Sequence, residues 1–122
     1  MNMNSITIAL ERDPDAKQRL VRDLLAALPD WFGLPEANAR FAAEARVLPM
    51  FVARVGAEAV GIATLRQHFP ATAELHLIAV KPGHHRHGIG RRLIQAIADH
   101  LRPTATRHLT VKTLAPEAGD LA

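Results

Sequence analysis

The chain has 122 residues, of which 48% are hydrophobic and 22% charged, with a formal net charge of +3 and no cysteine. This length fits one domain with a real core, and the composition excludes a strongly charged disordered polymer. The lack of cysteine excludes a disulfide scaffold, a thiolate zinc site and a cysteine nucleophile.

The first half of the chain predicts one strand followed by two helices. Residues 4–10 are apolar and rich in β-formers, which indicates a strand. Asp13 is suited to cap a helix whose first residue is Pro14, and apolar residues then recur at helical spacing as far as Pro29. A second, shorter, alanine-rich helix is predicted to begin at Pro35.

The second half predicts three strands, a helix and a last strand. A tight turn at Gly56 joins the first two strands as a hairpin, and residues 72–80 form the third. An amphipathic helix then ends at Pro103 and leads to a strand over residues 107–115. The order β-α-α-β-β-β-α-β predicts a single α/β domain with a mixed α+β sheet.

The strands at 72–80 and 107–115 flank a helix, so they are predicted to form a right-handed βαβ unit with both strands parallel. The single domain covers residues 1–122, and residues 116–122 are expected to be a flexible tail. The first residues lack the features of a signal peptide, and no apolar run reaches the roughly 18–20 residues that span a bilayer. We expect a soluble, cytoplasmic protein with no membrane partner.

The stretch HHRHGIG at residues 84–90 lies where a strand leads into a helix. The first amides of a helix have no partner within it, and the helix dipole favours an anion there. Because Gly88 and Gly90 carry no side chain, a phosphate or pyrophosphate could reach this backbone. Two glycines also serve simply to turn a chain. Three arginines add positive charge around the loop: Arg86, Arg91 and Arg92.

A metal ion and a nucleic acid are the two other candidate ligands for this loop. His84, His85 and His87 could bind a metal, but zinc sites usually draw ligands from separate elements, and no carboxylate lies nearby in the sequence. Nucleic-acid binding favours aromatic residues for stacking, whereas 4% of this chain is aromatic. We therefore expect solvated loop histidines, no metal and no nucleic-acid partner.

Residues 75–101, LHLIAVKPGHHRHGIGRRLIQAIADHL, resemble the cofactor-binding core of the GNAT superfamily of N-acetyltransferases. The family signature is Gln/Arg-x-x-Gly-x-Gly/Ala, after a strand ending in an apolar-x-Val-x-Pro pattern and before an amphipathic helix. Here Gly88 and Gly90 are the glycines, and residues 80–82 end the strand as Val-Lys-Pro. The predicted order of elements agrees with the GNAT fold as far as residue 115.

The resemblance implies that acetyl-CoA, or another acyl-CoA, is the cosubstrate. Its pantetheine arm would pair with the strand at 72–80, and a backbone N–H within Ile78, Ala79 and Val80 would polarise the thioester carbonyl. His85 stands where the family has Gln or Arg, and the neighbouring Arg86 is the cation that could replace it. The pyrophosphate would lie on the backbone of the loop: His85, Arg86, His87, Gly88, Ile89, Gly90 and Arg91.

The resemblance also implies a general base for the attacking amine. Glu74 lies six residues before Val80, where histone-acetylating members of the family carry a catalytic glutamate. His76 would point to the same side of a regular strand, although a bulge would change which side chains align. The alternative is that both residues are hydrogen-bonded polar groups without a catalytic role.

The chain departs from the family pattern after the strand at 107–115. Members usually continue with a helix, often bearing a tyrosine that acts as general acid, and with further strands. This sequence ends at Ala122 and has no tyrosine. We therefore expect either a C-terminally shortened member or a fragment of a longer product. The exposed edge of the last strand is a liability that a homodimer would cover.

Two functions stay open at this point. The first is an N-acetyltransferase that moves an acetyl group from acetyl-CoA to a primary amine by direct attack, which Glu74 and the cofactor loop favour. The second is a degenerate GNAT domain that binds acyl-CoA or a partner without efficient catalysis, which the short C-terminus favours. The acceptor amine is not identified. Trp31, Phe32 and Phe41 either line its pocket or pack between helix and sheet.

Overall fold

The computed structural model describes residues 6–28, 35–83 and 88–111. The tail predicted at 116–122 lies outside these ranges. The order of elements is as predicted: β1 (Ile6–Glu11), α1 (Pro14–Ala26), α2 (Pro35–Ala45), β2 (Met50–Val55), β3 (Glu58–Phe69), β4 (Thr72–Val80), α3 (Ile89–Leu101) and β5 (His108–Val111). None of the helices in the described ranges has the length and apolarity that a membrane crossing requires.

The strands form one mixed sheet in the order β1-β2-β3-β4-β5. The pairs β1–β2, β2–β3 and β3–β4 are antiparallel, and β5 lies parallel to β4. The parallel pair on either side of α3 confirms the predicted βαβ unit, and the mixed sheet confirms the predicted fold class.

Two helices cover one face of the sheet and the third covers the other. Residues Val21, Leu24 and Leu25 of α1 share a buried cluster with sheet residues such as Leu77. Leu93 and other apolar residues of α3 share a second cluster, on the opposite face. The two clusters follow from amphipathic helices, each of which buries one apolar stripe against the sheet.

The start of α1 shows how local chemistry fixes an element. The side chain of Asp13 accepts a hydrogen bond from the backbone N–H of Ala16 at 2.9 Å, and Pro14 takes the first helical position. Lys17, one turn further, is buried and donates from Nζ to the carbonyl of Leu48 at 2.8 Å. Burial lowers the pKa of Lys17. The lysine thereby ties α1 to the segment that leads into β2.

A β-bulge divides β4 into two halves. Leu75 pairs with Leu65 and Leu77 pairs with Thr64, so His76 is an extra residue without an opposite number on β3. Leu75 belongs to the cluster under α3, whereas Leu77 belongs to the cluster under α1 and α2. In a regular strand these two leucines would share a face. The bulge predicted as a possible complication is therefore present, at His76.

A glycine in the middle of β3 lets α3 approach the sheet closely. A Cβ atom at Gly61 would lie 3.0 Å from Cγ2 of Ile89 and 3.3 Å from Cδ1 of Leu93. The first turn of α3 thus rests on a strand position that has no room for a side chain. An isolated glycine inside an apolar strand is the sequence signal for such an approach.

Candidate active site

The site lies on β4, around the bulge at His76. β4 continues to Val80, and its register partners on β3 reach from Phe69 to Gly61. On the other side, β5 pairs with β4 from Thr72 to Leu75, and Val111, the partner of Leu75, is the last described residue. A strand edge can pair with an extended ligand that carries amide groups.

The two predicted catalytic residues meet at this position. Glu74 and His76 are both buried, and Oε2 of the glutamate lies 3.2 Å from Nδ1 of the histidine. Leu75 between them faces α3, so the pair lies on the face that α1 and α2 cover. Their predicted alignment on one side of the strand is thus present in the structure. Their catalytic role stays a prediction.

Three further residues extend the pair into a network that the sequence did not reveal. Nε2 of His68, on β3, lies 2.5 Å from Oε1 of Glu74. Oε1 of Glu44, on α2, lies 3.0 Å from Nε2 of His76, and its other oxygen lies 3.5 Å from Nη2 of Arg66. Each contact joins different elements, so sequence spacing carried no sign of it.

The aromatic ring of Phe41, on α2, packs against this network. The rings of Phe41 and His76 meet edge to face, with centroids 5.5 Å apart and planes 61° apart. Phe41 and Glu44 are three residues apart on α2, and this spacing puts them on one helix face. In the sequence, this spacing indicates a shared helix face but does not identify the strand that the face contacts. Trp31 and Phe32, the other proposed aromatic residues, lie outside the described residues.

The arrangement is suited to accepting and holding a proton. A neutral imidazole has one N–H and can donate to one carboxylate, whereas a doubly protonated ring can donate to two. His76 has a carboxylate oxygen within hydrogen-bonding distance of each ring nitrogen. Proton transfer to or from a substrate requires such a group within hydrogen-bond reach of the reacting atom.

The start of α3 has the backbone geometry of an anion site. Gly88 caps the helix with φ 72° and ψ 16°, in the left-handed region that favours glycine. The next amides, from Ile89 to Arg91, belong to the first turn and have no acceptor within the helix. Nη2 of Arg92 donates to the carbonyl of Ile6 at 3.2 Å, which anchors this turn on β1.

Three residues of the predicted cofactor loop, His85, Arg86 and His87, lie outside the described residues, as does the neighbouring His84. Ile78, Ala79 and Val80 are buried at the end of β4, and Gly88, Ile89 and Gly90 begin α3. Across the ranges 6–28, 35–83 and 88–111, no group of three or more histidine or acidic side chains is arranged to hold a metal ion. The absence of a metal stays a prediction.

Comparisons with known proteins identify the fold. The profile of the acetyltransferase (GNAT) family matches residues 15–119. A search of curated protein sequences finds no significant match. Among solved structures, a ribosomal-protein-alanine N-acetyltransferase from Brucella melitensis biovar Abortus 2308 is 22% identical, with a TM-score of 0.70 over 95% of this chain and 86% of that one.

Two further structures are similar at lower identity. A putative acetyltransferase of the GNAT family from Desulfovibrio desulfuricans is 19% identical, with a TM-score of 0.74 over 95% of this chain and 78% of that one. An aminoglycoside N-acetyltransferase in complex with CoA is 18% identical, with a TM-score of 0.66 over 95% of this chain and 81% of its own. At these identities the likeness establishes the shared fold.

Proposed function

Because the chain belongs to the acetyltransferase (GNAT) family, we propose that this acyltransferase moves an acetyl group from acetyl-CoA to a primary amine by direct attack. The observation that carries the proposal is the buried Glu74–His76 pair on β4, which also contacts Glu44 of α2 and His68 of β3. A proton acceptor thus lies on the strand along which the thioester would bind.

Acetyl-CoA would bind along β4 and at the start of α3. The amides of the first turn and the glycine cap favour its pyrophosphate. The sequence predicts that His85, Arg86, His87 and Arg91 would also contribute to this cradle. The pantetheine arm would pair with the part of β4 that ends at Val80. A CoA complex of a relative with the same fold is consistent with this binding mode.

The chain's own groups supply the chemistry in two steps. A backbone N–H within Ile78–Val80 would bind the thioester oxygen and stabilise the negative charge that develops on it. Glu74, with His76 beside it, would accept the proton that the amine loses as its nitrogen attacks the carbonyl carbon. The tetrahedral intermediate then expels the CoA thiolate, and no covalent enzyme intermediate is required.

The acceptor is proposed only as a primary amine. Solved relatives with this fold are described as N-acetyltransferases of ribosomal-protein alanine and of aminoglycosides. Both descriptions involve amines, in molecules of very different size. Phe41 and Glu44 on α2 border the candidate base, so this helix would contribute to acceptor choice.

A thiol-release assay tests the proposal. Purified protein is mixed with acetyl-CoA and a panel of amines that includes amino-terminal peptides, diamines and amino sugars. We expect amine-dependent release of CoA and an acetylated product by mass spectrometry. Acetyl-CoA that binds, by calorimetry, but is never consumed would instead support the alternative of an acyl-CoA-binding domain without catalysis.

Three further expectations belong with this function. β5 is an outer strand of the sheet formed by the described residues, and a second copy pairing with it would give the predicted homodimer. Light scattering of the purified protein tests this, and a monomer at high concentration would contradict it. Cell fractionation tests the cytoplasmic location, and a mobility-shift assay with DNA and RNA tests the expectation that neither binds.

A further inference from the structure

His76 is held at both ring nitrogens by carboxylates from different elements. Oε2 of Glu74, on the same strand, lies 3.2 Å from Nδ1, and Oε1 of Glu44, on α2, lies 3.0 Å from Nε2. The histidine side chain is 5% exposed, compared with 12% for Glu74 and 35% for Glu44. The buried ring thus bridges a buried carboxylate and a partly solvated one.

Each of the two carboxylates is itself held by a second, basic side chain. Glu44 directs Oε2 to Nη2 of Arg66 at 3.5 Å, and Glu74 directs Oε1 to Nε2 of His68 at 2.5 Å. Phe41 packs edge to face on the ring of His76. These contacts from α2, β3 and β4 fix the ring plane and aim one oxygen of each carboxylate at it.

This geometry gives a doubly protonated His76 an acceptor for each of its two N–H groups. Only an imidazolium can donate a hydrogen bond from both nitrogens at once. Charge-assisted hydrogen bonds to carboxylates are stronger than neutral ones, and in a buried setting the attraction between charges is less screened. Glu44 faces the nitrogen that Glu74 does not, so it completes the stabilisation of the charged ring.

We propose that Glu44 is a positioning residue that makes His76 the proton store of the active site. Through Nε2 it orients the ring with Nδ1 toward Glu74, and it stabilises the imidazolium formed when the amine gives up its proton. This role rests on the proposed acetyl transfer. Glu44 acts through His76 and does not itself touch the reacting atoms.

The proton is accounted for at each step. The N–H bond of the attacking amine breaks, and its proton passes through the Glu74 carboxylate to Nδ1 of His76, which becomes an imidazolium. When the C–S bond of the tetrahedral intermediate breaks, the electron pair stays on sulfur. The stored proton then returns through Glu74 to the thiolate, which leaves CoA as a thiol and His76 neutral.

The test uses Glu44→Gln, because the glutamine oxygen can still accept from Nε2 but carries no charge. We expect kcat to fall about tenfold, less than the roughly hundredfold or more of a group that transfers the proton itself, because Glu44 acts through His76, while the Kd of acetyl-CoA and the thermal unfolding temperature stay unchanged. The acidic limb of the kcat/KM profile moves to lower pH, because a ring without its anionic neighbour binds a proton less tightly. Glu44→Asp restores part of kcat.

Two more variants separate charge from structure. Glu36→Gln removes the same charge from an exposed position in the first turn of α2, and it should behave as wild type. Arg66→Met removes the cation beside Glu44 and should move the acidic limb to higher pH, opposite to Glu44→Gln. If Glu44→Gln does not fold, Arg66→Met and ¹⁵N NMR of the wild-type His76 ring decide the question.

The outcomes are distinct. A wild-type enzyme that releases no CoA with any amine overturns the proposed function. A wild-type enzyme that turns over, with Glu44→Gln matching it in kcat and pH profile, overturns the role of Glu44 alone. Loss of kcat in Glu44→Gln without a shift of the pH limb also overturns it, since that result describes a structural contact. Loss in His68→Gln with no loss in Glu44→Gln would place the store at His68.

Discussion

The Oε2 atom of Glu74 lies 3.2 Å from Nδ1 of His76, and both side chains lie on the face of the sheet that α1 and α2 cover. The other carboxylate oxygen of Glu74 contacts Nε2 of His68 on β3, so each oxygen of this buried glutamate faces a histidine.

Glu74→Gln tests the general base. Glutamine keeps the size of the side chain but cannot take a proton, so we expect kcat to fall about a hundredfold or more. The Kd of acetyl-CoA should stay within about twofold, because the cradle at α3 is untouched. Steady-state kinetics and calorimetry measure the two quantities, and equal loss of both would assign Glu74 to binding or folding.

Gly88→Val tests the cofactor cradle. Gly88 has φ 72°, and a side chain there costs about 1–2 kcal/mol. We expect the start of α3 to rearrange and the affinity for acetyl-CoA to fall at least about tenfold. Gly56→Val is the matched control for backbone strain, because Gly56 has φ 62° in the β2–β3 turn and does not belong to α3. It should lower thermal stability and leave affinity unchanged.

His85→Ala completes this comparison. If the cradle binds through backbone amides, removal of this side chain should weaken acetyl-CoA binding only about two- to threefold. Calorimetry on both variants gives the contrast. Equal losses in His85→Ala and Gly88→Val would show that the side chain makes the principal contact.

Gly61→Ala tests the close approach of α3 to the sheet. The new Cβ would meet Cγ2 of Ile89 at 3.0 Å, so we expect a loss of about 1–3 kcal/mol in the free energy of unfolding. Because Ile89 begins α3, acetyl-CoA affinity should also fall. In an Ile89→Ala background the added methyl has room, and the penalty of Gly61→Ala should shrink. Denaturant unfolding of the four proteins in this cycle measures the coupling, and additive effects would contradict the contact.

Glu11→Gln tests a pH-dependent contribution to stability. A hydrogen bond from the backbone N–H of Asp13, with a further contribution from Arg54, lowers the pKa of Glu11 from its usual value of 4.5. A carboxyl with a lowered folded-state pKa stabilises the fold above its unfolded value, and this stabilisation is lost as the pH falls through the folded pKa. The variant should therefore be less stable than wild type at pH 7.

The same comparison in acid provides the control. Urea unfolding at a pH below both pKa values should bring the two proteins together, because Glu11 is then protonated in either state. A difference between wild type and Glu11→Gln that persists unchanged in acid would assign the effect to packing.

Much of the fold could be predicted from the sequence because the signals for helices, strands and turns are local. Asp13 and Pro14 marked the start of α1, and the strand predicted at residues 72–80 has the bounds that the structure shows. The order of elements and the parallel β4–β5 pair followed from these signals and from the handedness of βαβ units.

The candidate site could be predicted from the sequence only in part. Glu74 and His76 share one strand, so their spacing predicted that they would meet. Glu44 and His68 reach the pair from α2 and β3, and those contacts depend on the packing of α2 and on the register of the β3–β4 hairpin. Such contacts have no periodicity along the chain. The close approach of α3 to Gly61 did have a sequence signal, because Gly61 is an isolated glycine within an apolar strand. The predicted order of elements does not contain that information.

The bulge in β4 has a consequence for what the strand requires. With His76 deleted, Leu75 and Leu77 would become neighbours, and Leu75, Leu77, Ile78, Ala79 and Val80 would alternate between the two faces without interruption, each on the face it now occupies. The ladder with β3 would then run without a register shift from Gly61 to Gln67, and the second shift, between Gln67 and Phe69, would remain. A chain shortened by this one histidine should therefore still close its sheet. The pairing of the sheet therefore does not depend on His76. This same residue has a carboxylate oxygen beside each of its ring nitrogens.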